Sequence, residues 1–275
     1  MEDTTYILID SSYMIFYRVY ALVNWWKLSH KDESFENLHS NEEFIEKFKN
    51  VFQRKLLELR NKLKIHKNQK VKYIVGKDCP RENIWRVNLY SKYKDNRIKN
   101  TKNLNPYTFF KLIFEEHLFQ KTLENLMMLE NENLECDDCL AICAKYIQTK
   151  TPNSRIFIIA SDKDYMQLYN DKVNIYDLRY KSVVNNKSSL GCPKKDLLLK
   201  IINGDKSDNI PCIFGRTNNK ETKKCMENID YFYELLNKYD KVLEQYKLNK
   251  RLIDFNEIPK NLRNNIITKI RLFIS

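Results

Sequence analysis

The sequence contains few of the residues that interrupt regular secondary structure, with only 4 glycines and 6 prolines among 275 residues. This scarcity excludes collagen-like, glycine/serine-linker and proline-rich classes of protein. Long apolar runs are also missing, because the first candidate, residues 14–23, is interrupted by Arg18 and is too short to span a membrane. The first residues, Met1-Glu2-Asp3, are acidic, whereas a secretory signal begins basic. We therefore expect neither a secretory signal nor a membrane partner.

The seven cysteines are an odd number without the spacing of a disulfide framework, which predicts a reduced, intracellular protein. Hydrophobic residues make up 43% of the chain, enough for a substantial core. Lysine and arginine together number 48 against 36 acidic residues, a net charge of +12. An excess of this size indicates a polyanionic partner, most simply nucleic acid, although richness in Lys and Asn can also reflect genome base composition.

Short apolar runs alternate with helical patterns along the first two thirds of the chain. The runs predicted as buried parallel strands are residues 6–9, 71–75, 156–160 and 173–176. Helical spacing follows Ser40, recurs from about 106 to 129, and begins again near Glu135, whereas residues 193–275 show helices and turns but no strand pattern. This alternation predicts an α/β fold with a mainly parallel sheet, followed by a small helical subdomain.

Acidic residues concentrate where the predicted strands end. The strand ends carry Asp10, Asp78, Asp162 and Asp164; Glu135, Asp137 and Asp138 stand at a probable helix start, and Asp205 and Asp208 lie in a loop. The carboxyl ends of parallel strands face one crevice, so these side chains should converge. Carboxylates at such density repel one another unless cations neutralise them, and oxygen ligands suit Mg²⁺ or Mn²⁺. The alternative is that each Asp only caps a helix or a turn.

Five segments occur in the order found in a known nuclease family: residues 8–12, 93–97, 135–138, 160–164 and the run Gly204-Asp205-Lys206-Ser207-Asp208-Asn209-Ile210-Pro211. The chain resembles the flap endonuclease / 5′→3′ exonuclease family, in particular its compact bacteriophage and large-DNA-virus members. The resemblance implies a PIN-like nuclease core over residues 1–192, with a helical arch at about 81–129. It also implies a DNA-binding subdomain over residues 193–275 that contains a helix–three-turn–helix.

The resemblance further implies two-metal phosphodiester hydrolysis with Mg²⁺ or Mn²⁺. The first metal group would be Asp10, Asp78, Glu135 and Asp137; the second would be Asp162, Asp164 and Asp208, with Asp138 and Asp205 close by or bridging through water. Ser11 stands where the family usually has glycine, which implies some crowding but no loss of metal.

Basic residues of the predicted arch and hairpin match the DNA-contacting parts of the family. Lys94 and Arg97 match the basic residues at the base of the arch, which stabilise charge on the scissile phosphate or draw the nucleotide to the metals. The predicted DNA contacts are Arg81, Arg86, Lys92 and Tyr93 around the arch, and Arg216, Lys220, Lys223 and Lys224 at the helix–three-turn–helix. This hairpin keeps only one glycine, Gly215, so the retention of the family's K⁺ ion there stays open.

The predicted function is a Mg²⁺-dependent, structure-selective 5′ nuclease acting on 5′ flaps, RNA primers or free 5′ ends in replication, repair or recombination. The expected partner is branched or 5′-ended DNA, with RNA–DNA hybrid and replication proteins as further candidates, and the expected state is a monomer. The expected location is the nucleus or a cytoplasmic replication site for a viral protein, and the cytoplasm for a phage protein.

Two rival functions remain. A PIN-like endoribonuclease is disfavoured because small ribonucleases of that core lack both the arch and the helix–three-turn–helix. An inactive relative that only binds branched DNA is disfavoured because every expected carboxylate is present. Cys136, Cys139 and Cys143 are interpreted as core residues rather than zinc ligands. The apolar segment at 270–275 could dock a partner or close the core.

Overall fold

The computed structural model describes residues 4–31, 37–97, 105–185, 189–215 and 219–274. Its centre is a five-stranded parallel sheet with the strand order β3-β2-β1-β4-β5. The strands are β1 (Thr5–Asp10), β2 (Val71–Gly76), β3 (Leu126–Leu129), β4 (Ile156–Ile159) and β5 (Val173–Tyr176). Four of them coincide with the apolar runs of the sequence. The predicted α/β class with a parallel sheet is confirmed.

The central strand β1 is buried on both faces, because its successive side chains point to opposite layers. Ile7 and Ile9 pack into one hydrophobic cluster, while Tyr6 and Leu8 pack into the other. This two-sided burial explains why the strand is a continuous apolar run without alternating polar residues.

Helices cover both faces of the sheet. One face is covered by α1 (Ser11–Ser29), α2 (Glu42–Lys62), α4 (Tyr107–Glu115) and α5 (Leu118–Thr122). The other face is covered by α3 (Trp85–Leu89), α6 (Cys136–Lys150) and α11 (Lys260–Ile274). Between β5 and α11 come α7 (Pro193–Asn203), α8 (Asn219–Glu227), α9 (Ile229–Lys238) and α10 (Asp240–Ile253). These helices bury two smaller clusters, one of which also includes Ile84 and Tyr93.

The continuous helical stretch predicted at about 106–129 is wrong. Helix α4 is followed by His117 in the left-handed region, α5 ends at Thr122, and β3 then pairs with β2. The run Leu126-Met127-Met128-Leu129 has no β-branched residue, so the sequence pattern favours a helix. Pairing with β2 overrides that preference. The end of the range predicted as an arch is therefore a strand of the central sheet.

The last helix closes the core. Ile266, Ile270 and Ile274 of α11 are buried against α6, and the Tyr6 hydroxyl donates a hydrogen bond to the Ile274 carbonyl oxygen (3.3 Å). The three cysteines of α6 are also buried in this layer, as predicted for core residues. In the part of the chain that the structure describes, every helix is too short or too polar to cross a membrane.

Candidate functional site

The carboxyl ends of the strands open into a cleft of about 810 Å³. Its lining includes acidic residues from four places in the chain, namely Asp10, Asp78, Glu135, Asp137 and Asp162. A second cavity of about 570 Å³ adjoins it and is lined by Asp162, Asp164, Lys200 and Asp205. The structure therefore brings together the carboxylates that the strand ends predict. They form two groups.

The first carboxylate group consists of Asp10, Asp78, Glu135 and Asp137. Asp10 ends β1 and caps α1, where its Oδ1 accepts a hydrogen bond from the Tyr13 amide (2.9 Å). Asp78 lies just beyond β2, and it accepts hydrogen bonds from the Cys136 amide (2.8 Å) and from the Ser12 hydroxyl (2.5 Å). Asp78 thereby joins the first turn of α1 to the first turn of α6.

Negative charge in this group is poorly compensated. Burial, followed by the charge of Asp78, raises the pKa of Asp10 to about 7. Burial, followed by the charge of Glu135, raises the pKa of Asp137 well above its usual value. Among the described residues, the ion pairs in the two cavities go to other carboxylates and leave Asp10, Asp78 and Asp137 without one. The arrangement suits a bound cation.

Glu135 has several donors of its own. Its Oε1 lies 2.5 Å from Lys94 Nζ, and its Oε2 accepts hydrogen bonds from the Tyr93 hydroxyl (2.9 Å) and Arg86 Nη1 (3.1 Å). Burial alone would raise the pKa of Glu135, but the charges of Lys94 and Arg86 and the hydrogen bonds from Lys94 and Tyr93 together lower it. One oxygen from each of Glu135, Asp137 and Asp138 lies within 4.8 Å of the others, close enough to share one metal ion.

The second carboxylate group consists of Asp162, Asp164, Asp205 and Asp208. Asp162 is exposed and caps the 3₁₀ turn Lys163–Leu168 by accepting a hydrogen bond from the Asp164 amide (2.9 Å). Lys200 of α7 forms ion pairs with Asp164 and with Asp205, the latter at 2.8 Å.

The two carboxylates that pair with Lys200 have pKa values shifted in opposite directions. Burial outweighs the lysine charge at Asp164, whose pKa rises to about 6. At Asp205 partial burial raises the pKa, but the charge of Lys200 and hydrogen bonds from Lys200 and Ser207 together outweigh it, and the pKa falls to about 2. Sequence reasoning did not identify Lys200, since the only available signal was its position one helical turn before the Gly204-Asp205 run.

Gly204 is required by the backbone at the start of that run. Its φ is +69°, and a Cβ atom there would lie 2.2 Å from the Ile210 carbonyl oxygen. The tight turn lets the Asp205 amide and the Ile210 amide each donate to the other residue's carbonyl oxygen. This backbone geometry carries Asp205 and Asp208 to the edge of the site.

The loop over residues 204–211 is hydrogen-bonded to the base of the predicted arch. The Lys94 amide donates to the Asp208 carbonyl oxygen (2.9 Å), and Asn209 Nδ2 donates to Asp95 Oδ1 (2.6 Å). Arg97 Nη2 lies 2.5 Å from Asp208 Oδ1, and Lys94 Nζ lies 3.6 Å from Asp208 Oδ2. Of the two basic residues predicted to act on the phosphate, Lys94 therefore contacts both carboxylate groups and Arg97 contacts the second. Residues 98–104 of the predicted arch lie outside the described residues.

Two of the predicted DNA contacts are wrong. The side chains of Arg86 and Tyr93 are buried, with exposed fractions of only 2% and 3%, so neither can reach a backbone phosphate. Both point inward beneath the site, where Arg86 meets the two oxygens of Asp138 (2.7 Å each). The sequence shows their basic or aromatic character but not the direction in which the short helix α3 and the turn after it face.

The other basic residues lie where a polyanion could reach them. Arg81 is exposed and lines the cleft, and Lys92 is exposed. Lys220, Lys223 and Lys224 are exposed on α8, with Lys223 3.7 Å from Glu227. Arg216 lies outside the described residues.

One wall of the cleft is aromatic, a feature that sequence reasoning missed. Phe16 of α1 meets Phe110 and Tyr107 of α4, with ring centroids 4.8 and 6.1 Å apart. Phe114 continues this wall, and Lys77 lies over its ring. The helical spacing of these residues resembles that of core positions, and only the placement of α4 beside α1 shows that they face the cleft.

Comparisons with known proteins agree with this architecture. The family model "5′-3′ exonuclease, N-terminal resolvase-like domain" matches residues 5–191. The chain is 27% identical over 213 residues to a ribonuclease H of Enterobacteria phage T4, covering 71% of this chain and 68% of that protein. It is 29% identical over 184 residues to a 5′-3′ exonuclease of Buchnera aphidicola, covering 65% of this chain and 59% of the relative.

Solved structures show the same fold. A bacteriophage T5 flap endonuclease, crystallised with DNA and metal ions, superposes with a TM-score of 0.65 at 15% identity, covering 98% of this chain and 99% of that chain. A T5 5′-exonuclease with bound zinc ions gives a TM-score of 0.66 at 15% identity, covering 99% and 100%. Because the family model spans well over half of the sequence, the chain belongs to the 5′-3′ exonuclease family.

Proposed function

We propose that this chain is a structure-selective 5′ nuclease that hydrolyses phosphodiester bonds at 5′ flaps or free 5′ ends with the help of Mg²⁺ or Mn²⁺. The observation that carries the proposal is the cleft at the strand ends, where Asp10, Asp78 and Asp137 have no ion-pair partner among the described residues while Lys94 and Arg97 stand beside them. Family membership supplies the reaction class.

The donor set fits hard divalent ions. All the acidic side chains in the two groups offer oxygen ligands, and burial and mutual repulsion disfavour the charged, metal-free state of Asp10 and Asp137. Asp10, Asp78, Glu135 and Asp137 would hold one ion, and Asp162, Asp164 and Asp208, with Asp205 beside them, would hold a second. When bound, such ions generate a nucleophile from water and stabilise the attacking and leaving oxygens.

The chain's own residues bind and orient the substrate in this proposal. Lys94 and Arg97 attract the scissile phosphate and stabilise the charge that develops on it. The aromatic wall of Phe16 and Phe110 offers an apolar surface to an unpaired base. Arg81 and Lys92 bind phosphates near the cleft, and the lysines of α8 hold the duplex by its backbone without reading sequence.

The proposal gives the two parts of the chain different roles. Residues 1–192 would form the nuclease core with its arch, and residues 193–275 would form the subdomain that holds duplex DNA. We propose a monomer inside the cell, with replication proteins as further partners. An RNA strand paired with DNA is a second candidate substrate, supported by the name of the phage T4 relative, ribonuclease H.

The test is a 5′-end-labelled DNA flap incubated with Mg²⁺ or with EDTA, together with the same substrate carrying RNA in its 5′ strand. We expect a short labelled product only with Mg²⁺, and its length separates flap cutting from stepwise trimming. Flap binding without cleavage in either Mg²⁺ or Mn²⁺ would leave only a binding protein. Cleavage of structured RNA with no action on the flap would favour the endoribonuclease.

A further inference from the structure

All three nitrogen atoms of the buried Arg86 guanidinium donate hydrogen bonds. Its Nη1 and Nη2 each lie 2.7 Å from an oxygen of Asp138, Nη1 also donates to Glu135 Oε2 (3.1 Å), and Nε donates to the Leu252 carbonyl oxygen (2.7 Å). The guanidinium lies over the Trp85 ring, with its centre 4.6 Å from the ring centroid. With 2% exposure, this side chain cannot reach a substrate.

The contacts of Arg86 fix which oxygen of Glu135 faces the cleft. Oε2 is held from below by Arg86 and Tyr93, so Oε1 is left to Lys94 and the cleft. The side chain of Glu135 makes no capping hydrogen bond to α6, so these donors determine its orientation. A glutamate has several rotatable bonds, and a metal ligand must be held in one rotamer to bind well.

Asp138 serves as the anchor of this arrangement. It is fully buried, and its Oδ2 accepts hydrogen bonds from Trp85 Nε1 (2.9 Å) and from Arg86. Both carboxylate oxygens of Asp138 contact Arg86, so Asp138 neutralises the guanidinium and fixes the orientation of its plane. The remaining hydrogen bond of Nη1 then holds Glu135 in place. The bond to Leu252, in α10, ties the same guanidinium to the helices that follow the nuclease core.

We propose that Arg86 is a positioning residue: anchored by Asp138, it holds Glu135 in the orientation that the first metal group requires. This inference rests on the proposed function only in treating Glu135 as a metal ligand. It gives the residue a role beneath the site in place of a contact with DNA.

The decisive measurement is calorimetric titration of the full chain with Mn²⁺ alone, without DNA, combined with the thermal midpoint in EDTA. Arg86→Lys keeps the charge but loses the two-pronged contact, and we expect Mn²⁺ affinity at the first group to fall by about 10-fold. If Asp138 were instead a ligand obstructed by Arg86, the same substitution would leave the affinity unchanged or raise it, and the proposal would be overturned.

A second variant separates positioning from stability. Arg86→Met combined with Asp138→Leu replaces a buried ion pair by apolar side chains, a change that is often neutral or stabilising. We expect a thermal midpoint close to that of the unmodified chain, with Mn²⁺ affinity lower by about 10- to 100-fold. A stable double variant with unchanged Mn²⁺ affinity would show that the pair is only structural. If the double variant does not fold, Arg86→Lys decides alone.

The matched control removes a different ion pair. Lys250→Met with Glu257→Leu breaks a partly exposed pair at 2.8 Å near the end of α10 and should leave Mn²⁺ affinity unaltered. Because no DNA is present, the result is independent of cleavage. A chain that binds Mn²⁺ through Glu135 but never cuts a flap would refute the proposed nuclease while leaving the role of Arg86 intact.

Discussion

The two carboxylate groups offer the same kind of ligand but differ in how their charge is compensated. In the second group, Lys200 pairs with Asp164 and Asp205, and Arg97 pairs with Asp208. In the first group, Asp10 and Asp137 have no such partner among the described residues, and their pKa values are raised. Among the described residues, the chain therefore supplies counter-charges to three of the four carboxylates in the second group but only to Glu135 in the first, which leaves most of the first group dependent on an external cation.

This difference predicts unequal affinities for divalent ions. An ion entering the first group relieves repulsion between carboxylates that are already close together. An ion entering the second group competes with Lys200 and Arg97, whose existing contacts must be broken first. We expect the first group to fill at lower metal concentration. Four predictions test this contrast, beginning with the largest effect.

Replacing Asp10 by Asn should lower flap cleavage by about 10³-fold or more, since the first group loses a charge that no other residue supplies. Duplex binding, measured by fluorescence anisotropy in Ca²⁺, should change little. The control is Asp171→Asn, an exposed residue outside both groups. Cleavage within a few-fold of the unmodified chain would remove Asp10 from the proposed mechanism.

Replacing Lys94 by Ala should lower the cleavage rate by about 10²-fold, the scale for losing a group that stabilises developing charge. Lys94 contacts Glu135 and Asp208, so it interacts with both carboxylate groups. Single-turnover cleavage and flap affinity should be measured side by side. If affinity falls as much as the rate, Lys94 is only a phosphate contact.

The pH dependence of stability should differ between the unmodified chain and Asp10→Asn in EDTA. The raised pKa of Asp10 means that the folded, metal-free state retains a proton that the unfolded state has lost. Stability from this group is therefore complete below about pH 4 and is lost as the pH rises through about 7.

Between pH 5 and 8 the unmodified chain should lose about 2–3 kcal/mol of unfolding free energy more than the Asn variant. Urea unfolding at both pH values measures this difference. Equal pH dependence in the two proteins would show that the first group is adequately compensated without metal.

Replacing Lys200 by Met should raise the affinity of the second group for Mn²⁺ by about tenfold, because Asp164 and Asp205 lose the cation that neutralises them. Calorimetric titration with Mn²⁺ measures both sites. Lys195→Met, an exposed lysine on the same helix, is the control. Weaker or unchanged second-site binding would mean that Lys200 helps to organise the site and does not compete with an ion.

The sequence predicted the convergence of carboxylates better than it predicted their partners. Asp10, Asp78 and Asp162 could be placed because each lies at or just beyond the end of a strand of a parallel sheet, and such strands end at one edge. Lys200 and Arg86 could not, because a single positive charge in a strongly basic chain carries no information about burial. Strand β3 was missed for a related reason: its Leu and Met residues favour a helix until β2 pairs with them.

The hydrogen bonds between residues 92–97 and 204–211 make these two distant segments a single structural unit. Asn96 Nδ2 donates to the Lys206 carbonyl oxygen (2.8 Å), and Asn209 Nδ2 reaches the Lys92 carbonyl oxygen (3.0 Å), across more than a hundred residues of sequence. A single-residue insertion in either loop would put the other out of register. A chimera that borrows the arch of a relative would therefore need that relative's Gly-Asp-Lys-Ser-Asp-Asn loop as well, and the two should be exchanged together.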